Sequence, residues 1–490
     1  MRVAIIGGGI AGLSAAFYLR RLYPAAEVEL FEAAERLGGA IQTQTIDGYL
    51  VEHGADMFAT QPGAALELCR DLGIENELLK PLPNARGAAI VRRGKLIRIP
   101  EGFVLMRPTR LWPMMCTPLL SMRGKLRLLA EPWIRQRGSG VIDESIESFV
   151  TRRLGRETLD RIVQPLVGGI YTGDVAKLSM AATMSPIWEM ERQDGSLYQA
   201  TRRRNRVDAD ATEKTSAGAR YENFRSFAGG MGRLIDALAA TLDPSRTHLA
   251  TPVTQVTSKE DGWYLQTDST LETDSNLQAD SLPGHRPFQH VVLATPARIA
   301  TRLLASEAPE ASRVLREITS ASSAVVVLGI RDADMPPTMP IAGLIVPIQE
   351  GRNILAVSFT GDKFAGRTPP GRRLIRVFIG GDLQKSLLDR SDAQLLKLAI
   401  DELRQLIGLR GEPELSLVIR WNNAMPQYHV GHLQRMHAIQ KSLESHPGLS
   451  LIGNSLQGVG ISHTVAGART WAHSISRQCS GDTALTPAPP

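Results

Sequence analysis

An α/β fold is predicted by three features near the N-terminus. A short β-branched run, Val3 to Ile6, meets Gly7, Gly9 and Gly12 in the spacing G-x-G-x-x-G, and a helical run follows at once. A second strand-like run, EVELFE, ends on Glu32, about 20 residues past the last glycine. A glycine pair beside an arginine, ERLGGAIQT, comes next. Strand, glycine turn, helix, strand and acid, in that order, are the parts of a Rossmann-like dinucleotide-binding unit.

Each part has a physical reason. The first glycine makes the tight turn, the second lets the backbone approach a pyrophosphate, and the third lets helix and strand pack closely. The loop Gly7, Gly8, Gly9, Ile10, Ala11, Gly12 is therefore expected to hold a pyrophosphate, and Glu32 to bond a ribose hydroxyl. A secretory signal would carry a basic n-region and an apolar h-region without glycines, whereas here only Arg2 precedes a run that glycines interrupt. An NAD site needs nothing after the acid. FAD is longer and carries a ribityl-phosphate arm, which suits backbone N–H groups at Gly38 and Gly39 and a charge at Arg36. FAD is the expected cofactor.

The elements that follow extend this unit. DGYLVEHGADMF reads as a strand and loop of the same domain, and AALELCRDLGIENELL as a helix ending near Pro81 and Pro83. AAIVRRGKLIRIP reads as a β-hairpin turning at Arg93-Gly94. From about Phe103 to Glu191 the pattern is mostly helical. It includes a stretch rich in Met and Leu, with Trp112, Arg107, Arg110, Arg123, Lys125 and Arg127, that suits either a membrane surface or a helical core. ATRRRNRVDADATEKTSAGARYEN is polar and aperiodic, the pattern of a flexible loop. FAGGMGRLIDALAATL is a turn into a helix. THLATPVTQVT, GWYLQT and HVVLATPARIATRLL read as strands, with a polar insertion near 268–288. Several strands and the helix DAQLLKLAIDELRQLIG occupy 320–420, and the last element is a strand, a glycine-rich turn and a helix.

Composition narrows the class. With 490 residues, 43% hydrophobic and 22% charged, the chain is expected to form two or three globular domains. A net charge of +6 and a pI near 9.3 favour anionic partners: an acidic substrate, a membrane surface or nucleic acid. Aromatics make up only 5%, so no stacking platform for nucleic acid stands out. Cys69, Cys116 and Cys479 are far apart and odd in number, which fits a reducing cytoplasm. No apolar run reaches the roughly 18 residues of a spanning helix. His429, His432 and His437 lack a Cys or carboxylate at ligand spacing, so no metal is expected. GNSLQG is not G-x-S-x-G, and no nucleophile triad is expected.

Three longer stretches carry a resemblance. RRLGRETLDRIVQPLVGGIYTGDVAKLSMAAT (152–183) contains a G-I-Y-x-G-D run, WNNAMPQYHVGH (421–432) fits W-x-x-A-x-P-Q-Y-x-x-G-H, and LIGNSLQGVGISHTVAGAR (451–469) contains G-x-S-x-x-G-V-G-I. With the glycine motifs and GGMGRLIDAL, the chain resembles the oxygen-dependent porphyrinogen oxidases of haem biosynthesis, within the flavin amine oxidase superfamily. It departs from them at Gly54, Ala55, Asp56, where G-P-D is frequent, and at Ser462-His463, where Pro or Gly followed by Asp is frequent.

The resemblance implies FAD- and oxygen-dependent oxidation of coproporphyrinogen III or protoporphyrinogen IX. Six electrons leave in three two-electron steps, hydrogen peroxide is released, and the flavin carries the chemistry, so no catalytic side chain is named. It further implies that Arg36, Gly38, Gly39, His53, Gly54, Ala55 and Asp56 approach the flavin arm and that Val253 lies by the adenine. Trp421 would pack near the isoalloxazine, and Val459, Gly460 and Ile461 would meet its pyrimidine side. Propionates need cations, for which Arg92, Arg93, Lys95, Arg98 and Arg107 are available, Arg98 and Arg107 being the candidates taken forward. The expected domains are 1–85, 224–298 and 415–476 for FAD, 86–102 and 299–414 for a mixed-sheet substrate domain, and 103–199 for a helical subdomain open to a membrane. A flexible loop at 200–223 and a disordered tail at 477–490 complete the division. The expected place is the cytoplasm, with an optional peripheral membrane contact and a handover of product to the next haem-pathway enzyme. Two other readings stay open: a flavin amine oxidase or desaturase-like enzyme, and a non-catalytic tetrapyrrole-binding flavoprotein. The first would usually place a caging aromatic in the C-terminal segment, and none lies between Leu451 and Arg469.

Overall fold

A five-stranded parallel sheet, in the order Thr247–His248, Glu27–Phe31, Arg2–Ile6, His290–Leu293, Leu449–Leu451, forms the base of the molecule. The computed structural model describes residues 1–83, 87–104, 107–108, 111–138, 140–207, 223–268, 286–336 and 340–480. Arg2–Ile6 is the central strand, and its β-branched residues are buried on both faces, as a parallel strand covered by helices requires. The helix Ile10–Leu22 follows the glycine turn and packs against the C-terminal helix Ile461–Ser480 through Leu13, Ala16, Val465, Ala468 and Ala472. The first and last motifs of the chain therefore meet in one core.

A second, seven-stranded sheet has the order Leu415–Pro426, Ser320–Arg331, Arg372–Gly380, Ala356–Phe359, Gly343–Ile345, Ala88–Arg92, Lys95–Arg98. It is mixed: Gly343–Ile345 runs parallel to Ala88–Arg92, and the other pairs are antiparallel. The helix Asp392–Ile407, held at its start by a Ser391–Gln394 capping box, covers one face. The hairpin turns at Arg93-Gly94 as expected, with φ of 52° and 72° and Arg92 paired to Lys95, the geometry of a two-residue type I′ turn.

Residues 103–200 gather a core of their own, with Phe149, Val150, Leu154, Ile162, Val163 and Trp188. Arg153 is wholly buried at its centre and bonds Glu131 and Glu191. Glu131 also accepts from the backbone N–H of Leu197 and Tyr198 and so starts the next helix.

Five expectations are corrected. HVVLATPARIATRLL is not strand throughout: Pro296 starts a helix, Ala297–Leu303, whose Ala297, Ala300, Thr301 and Leu303 are buried at helical spacing. Together with the helix Pro309–Arg316 it packs beside Ala4 and Ile6, so residues near 299–318 accompany the parallel sheet. Leu415–Pro426 pairs with Ser320–Arg331 and belongs to the seven-stranded sheet, although 415–476 was grouped with the glycine motifs. The helix Leu197–Val207 runs into the segment read as loop from 200, and the C-terminal helix continues to Ser480 past the expected start of the tail at 477. The rest of both segments, and most of the polar insertion near 268–288, lie outside the described residues.

Candidate cofactor and substrate site

The site begins at the edge where the central parallel strand stops. Gly7 leaves it with φ of 109°, and its N–H donates to Phe31 O at 2.8 Å. A Cβ at Gly7 would stand 2.7 Å from Ala294 O, and one at Gly12 only 2.0 Å from Gly7 O. A Cβ at Gly9 would meet nothing within 4 Å. The three glycines thus serve three needs: a strained turn, an open approach, and a helix pressed onto a strand. Ile10 and Ala11 open the helix that follows.

Glu32 bends back over this loop. Its carboxylate accepts from Gly8 N at 2.6 Å and Ala34 N at 2.8 Å. The segment leading to Val253 is fixed beside it, since Thr251 N donates to Glu32 O and Ala250 N to Ala34 O, both at 2.9 Å. Glycine loop, acid and Val253 therefore stand together.

The second motif closes onto the first. Gly38 N donates to Gly8 O at 2.8 Å, and a Cβ on Gly39 would lie 3.3 Å from Gly9 Cα. The Arg36 guanidinium turns onto the loop's own carbonyls, Gly39 O at 2.7 Å and Leu37 O at 3.0 Å, and so shapes the turn. From there the chain of contacts runs onward. His53 N donates to Gln42 O at 2.9 Å, and Gly54 sits so close to Ala40 that a Cβ would stand 2.0 Å from its carbonyl oxygen. Trp421 Nε1 donates to His53 O at 3.0 Å and brings the seven-stranded sheet into the line. Val459 and Gly460 precede the C-terminal helix, which begins at Ile461, and the Ser462 hydroxyl donates to Ala59 O. Ser462, which with His463 marks where the sequence departs from its resemblance, thus forms a buried tether.

Two groups at the site, Thr295 and Glu52, escaped the sequence reading, and so did the partners of Asp56. Thr295 follows the strand His290–Leu293, and its buried hydroxyl has no partner among the described residues; its methyl would lie 3.3 Å from a Gly7 Cβ. The signal was a short ATP stretch after a strand, read as more strand. Asp56 is not left facing solvent: Lys363 Nζ donates to its Oδ2 at 2.8 Å, and that cation, with Arg376, outweighs burial and holds the carboxyl down to about 2. Glu52 is buried against Arg367, whose Nη2 donates to Ser226 Oγ at 2.6 Å and Phe227 O at 2.9 Å.

The stretch 421–432 is a strut. Gln427 Nε2 donates to Tyr171 O at 2.8 Å, the Tyr428 hydroxyl donates to Asn454 O, and Ser179 N donates to Tyr428 O at 2.7 Å. His432 stacks on the Tyr428 ring at 4.0 Å, and its Nε2 lies 2.9 Å from Leu456 O; burial pushes its pKa down to about 4. Arg98 and Arg92 part company. Arg98 shares the face of Ala89, turned to the helix Asp392–Ile407, and its Nη2 donates to Pro340 O at 3.0 Å. Arg92 has the strand parity of Ala88 and Ile90, turned to the helical core, and its buried Nη1 has no partner among the described residues. Arg107 lies in a two-residue strand, Arg107–Pro108, and its side chain falls outside the described residues.

The glycine cradle and the open face of Gly9 fit a dinucleotide, and comparison with known proteins identifies its class. Residues 10–475 match the model of the flavin containing amine oxidoreductases. The coproporphyrinogen III oxidase of Bacillus subtilis (strain 168) is 32% identical over 94% of either chain. Protoporphyrinogen oxidase 1 of Arabidopsis chloroplasts is 30% identical over 95% of this chain and 86% of its own. A crystal structure from Exiguobacterium sp. 255-15, assigned as a protoporphyrinogen oxidase, superposes with a TM-score of 0.80 at 27% identity, covering 97% of this chain and 99% of that one.

Proposed function

The chain belongs to the flavin-containing amine oxidoreductases and is an FAD-dependent enzyme, and from that premise we propose that it oxidises a porphyrinogen to the porphyrin, coproporphyrinogen III before protoporphyrinogen IX. FAD, when bound, supplies two-electron acceptance and reoxidation by oxygen, so three O₂ become three hydrogen peroxide per macrocycle. The protein's part is to hold the macrocycle and exclude competing reactions. The observation that carries this reading is the strut at 427–432. Through Tyr171 and Asn454 it fixes the helix Gln164–Tyr171 and the turn before Val459 to one another. Leu166, Val459, Ile345 and Ile97 are each partly buried against the core of the helical part and leave aliphatic surface beside it. Aliphatic surface of this kind suits a puckered macrocycle that gives up hydride from a saturated meso carbon and needs no side-chain nucleophile.

Four propionates on coproporphyrinogen III need cations at the rim. Arg92, whose buried Nη1 has no partner among the described residues and whose hold on the proton is weakened by burial and by Arg93 against the opposing pull of Glu350, is the better partner than Arg98. The test is aerobic turnover of both porphyrinogens by the yellow protein, followed by porphyrin fluorescence and peroxide. Faster turnover of coproporphyrinogen III is expected. Absence of porphyrin from either substrate, with FAD bound, would leave a carrier or another substrate.

A peripheral contact with lipid is proposed as a second property of the same molecule. Trp112 and Trp133 are 77% and 82% exposed, and Met122 and Leu126 stand out beside Arg123 and Lys125. No helix among the described residues is long and apolar enough to cross a membrane. Co-sedimentation with anionic phosphatidylglycerol vesicles, lost in a Trp112→Ser/Trp133→Ser double variant, is the expected outcome. Equal recovery of both proteins in the supernatant would remove the proposal.

A further inference from the structure

Between the seven-stranded sheet and the loop His53–Asp56 lies a group of buried charges that neither the fold nor the proposed reaction accounts for. Glu52, Asp56, Lys363, Arg367 and Arg376 are exposed by 0, 7, 4, 1 and 2%. Arg367 Nη1 faces Glu52 Oε1 at 3.3 Å, Lys363 Nζ donates to Asp56 Oδ2 at 2.8 Å, and Arg376 Nη1 is 3.7 Å from that same oxygen. Arg376 Nη2 also donates to Gly54 O. Two carboxylates thus stand against three permanent cations, one positive charge in excess, and the Nε groups of Arg367 and Arg376 are buried without a partner among the described residues.

Burying a charge is costly unless it is paired, and an apolar pair would commonly serve stability as well or better. Arg376 sits on the sheet face shared by Val325, Val327, Phe378 and Trp421, an otherwise apolar layer. A surplus cation retained there points to something that arrives with negative charge. The position says what. Gly9 touches Gly39, Ala40 touches Gly54, and Gly54 holds both Arg376 and the Trp421 ring edge, so the cluster lies along the line that leaves the pyrophosphate loop.

We infer that this cluster, with Arg376 as its innermost member, sets the reduction potential of bound FAD: its excess positive charge stabilises the electron-rich, reduced cofactor. Reduction adds two electrons to the cofactor, and a fixed cation in a layer of low effective dielectric acts on them over several ångströms without touching the ring. Asp56 positions Arg376 and trims its charge, and Lys363 in turn holds Asp56. The inference rests on FAD as the cofactor and is independent of which substrate gives up the electrons.

The measurement is the two-electron midpoint potential of the FAD-loaded protein, by dye equilibration in the absence of any porphyrinogen. Arg376→Met is expected to shift the reduction equilibrium at least about tenfold toward oxidised FAD, about 30 mV for a two-electron couple. Arg376→Lys, which keeps the charge, is expected to stay within about threefold of the parent, about 15 mV. Asp56→Asn, which removes a negative charge, is expected to shift it the other way. Should Arg376→Met lose FAD, Lys363→Met removes a different cation of the same group and is read in its place, with the same sign expected. An unchanged potential in a loaded cation-to-Met variant overturns the inference, as does an equal drop in Arg376→Lys, which would mark a structural effect. Loss of porphyrin formation with an intact potential shift would instead fault the substrate reading alone.

Discussion

The two walls of the cofactor site are built on opposite plans. On the parallel-sheet side the work is done by backbone: Gly7, Gly9, Gly12, Gly38 and Gly39 bring N–H groups and an open Cα close together, and the one acid, Glu32, serves the loop itself. On the seven-stranded side it is done by side-chain charge: Arg376 from the sheet, and Lys363 and Arg367 from the connection 360–371 beside it, reach Gly54, Asp56 and Glu52. The first wall has no room for a Cβ at Gly7 or Gly12, and the second depends on its charges. Changes at each should fail in different ways, by sterics on one side and by electrostatics on the other.

The largest effect is expected at Gly12. A Cβ there meets Gly7 O at 2.0 Å, so Gly12→Ala must push the first helix off its strand and spoil the turn. FAD affinity should fall at least about a thousandfold, about 4 kcal/mol, and the melting temperature should fall with it. Gly9→Ala separates the two consequences. Its Cβ clashes with nothing in the protein, so the melting curve without FAD should match the parent. Titration with FAD should nonetheless show about tenfold weaker binding, because the added methyl stands where the pyrophosphate approaches. Parental FAD affinity in Gly9→Ala would mean that the open face of Gly9 is not the phosphate side.

Arg367→Met comes next. It leaves Glu52, wholly buried, with Thr43 Oγ1 and Met231 N as its remaining donors. Removing one partner of such a pair costs about 3–5 kcal/mol, measured by urea denaturation. The double variant Arg367→Met/Glu52→Gln should recover part of that loss. A loss that the second change deepens would place the penalty in the packing of Ser226 and Phe227, not in the unpaired charge.

These two walls were unequally legible in the sequence, for a physical reason. A backbone site is written in consecutive residues, because turn, approach and packing are all local, and Gly7 to Gly12 with Glu32 and Gly38–Gly39 declare it. A charge site is written across the fold: Asp56 and Lys363 are 307 residues apart, and no spacing rule links them. The same limit explains Arg98. Its place on a basic hairpin made it a propionate candidate, but the pleat turns it to the face opposite Arg92, and one residue of strand parity decides that. The helix Ala297–Leu303 was missed because its short apolar run has no period long enough to set it apart from a strand, and only Pro296 marked its start.

A third effect, of similar size but dependent on pH, belongs to the strut that joins the two walls. Burial holds His432 neutral with a pKa of about 4, against about 6.5 in an unfolded chain. The unfolded state therefore binds the proton more readily, and stability rises with pH. It is complete above about 6.5 and falls as the pH drops from there toward 4, by about 3 kcal/mol in all. Asp56 is lowered to about 2, so the stability from its ion pairs persists to more acid conditions and is lost only below about 4. Urea midpoints taken from pH 7 to pH 4.5 should fall in the parent and stay flatter in His432→Asn. A parallel fall in both proteins would assign the acid sensitivity elsewhere.

The smallest expected effect lies at the seam between the walls. Ser462 is 2% exposed, and its hydroxyl donates to Ala59 O, which ties the start of the C-terminal helix to the strand Phe58–Ala59. It is a position where the chain departs from the pattern it otherwise resembles, and the bond gives that departure a use. Ser462→Ala leaves the part-buried Ala59 carbonyl without this donor and should cost about 1 kcal/mol, seen as a lower urea midpoint with an unchanged slope. Because the change adds no atom to the glycine wall and removes no charge from the other, FAD affinity and the midpoint potential should both stay at parental values. A loss of FAD affinity in this variant would show that the seam transmits to the glycine wall, and the two walls could then no longer be treated as failing separately.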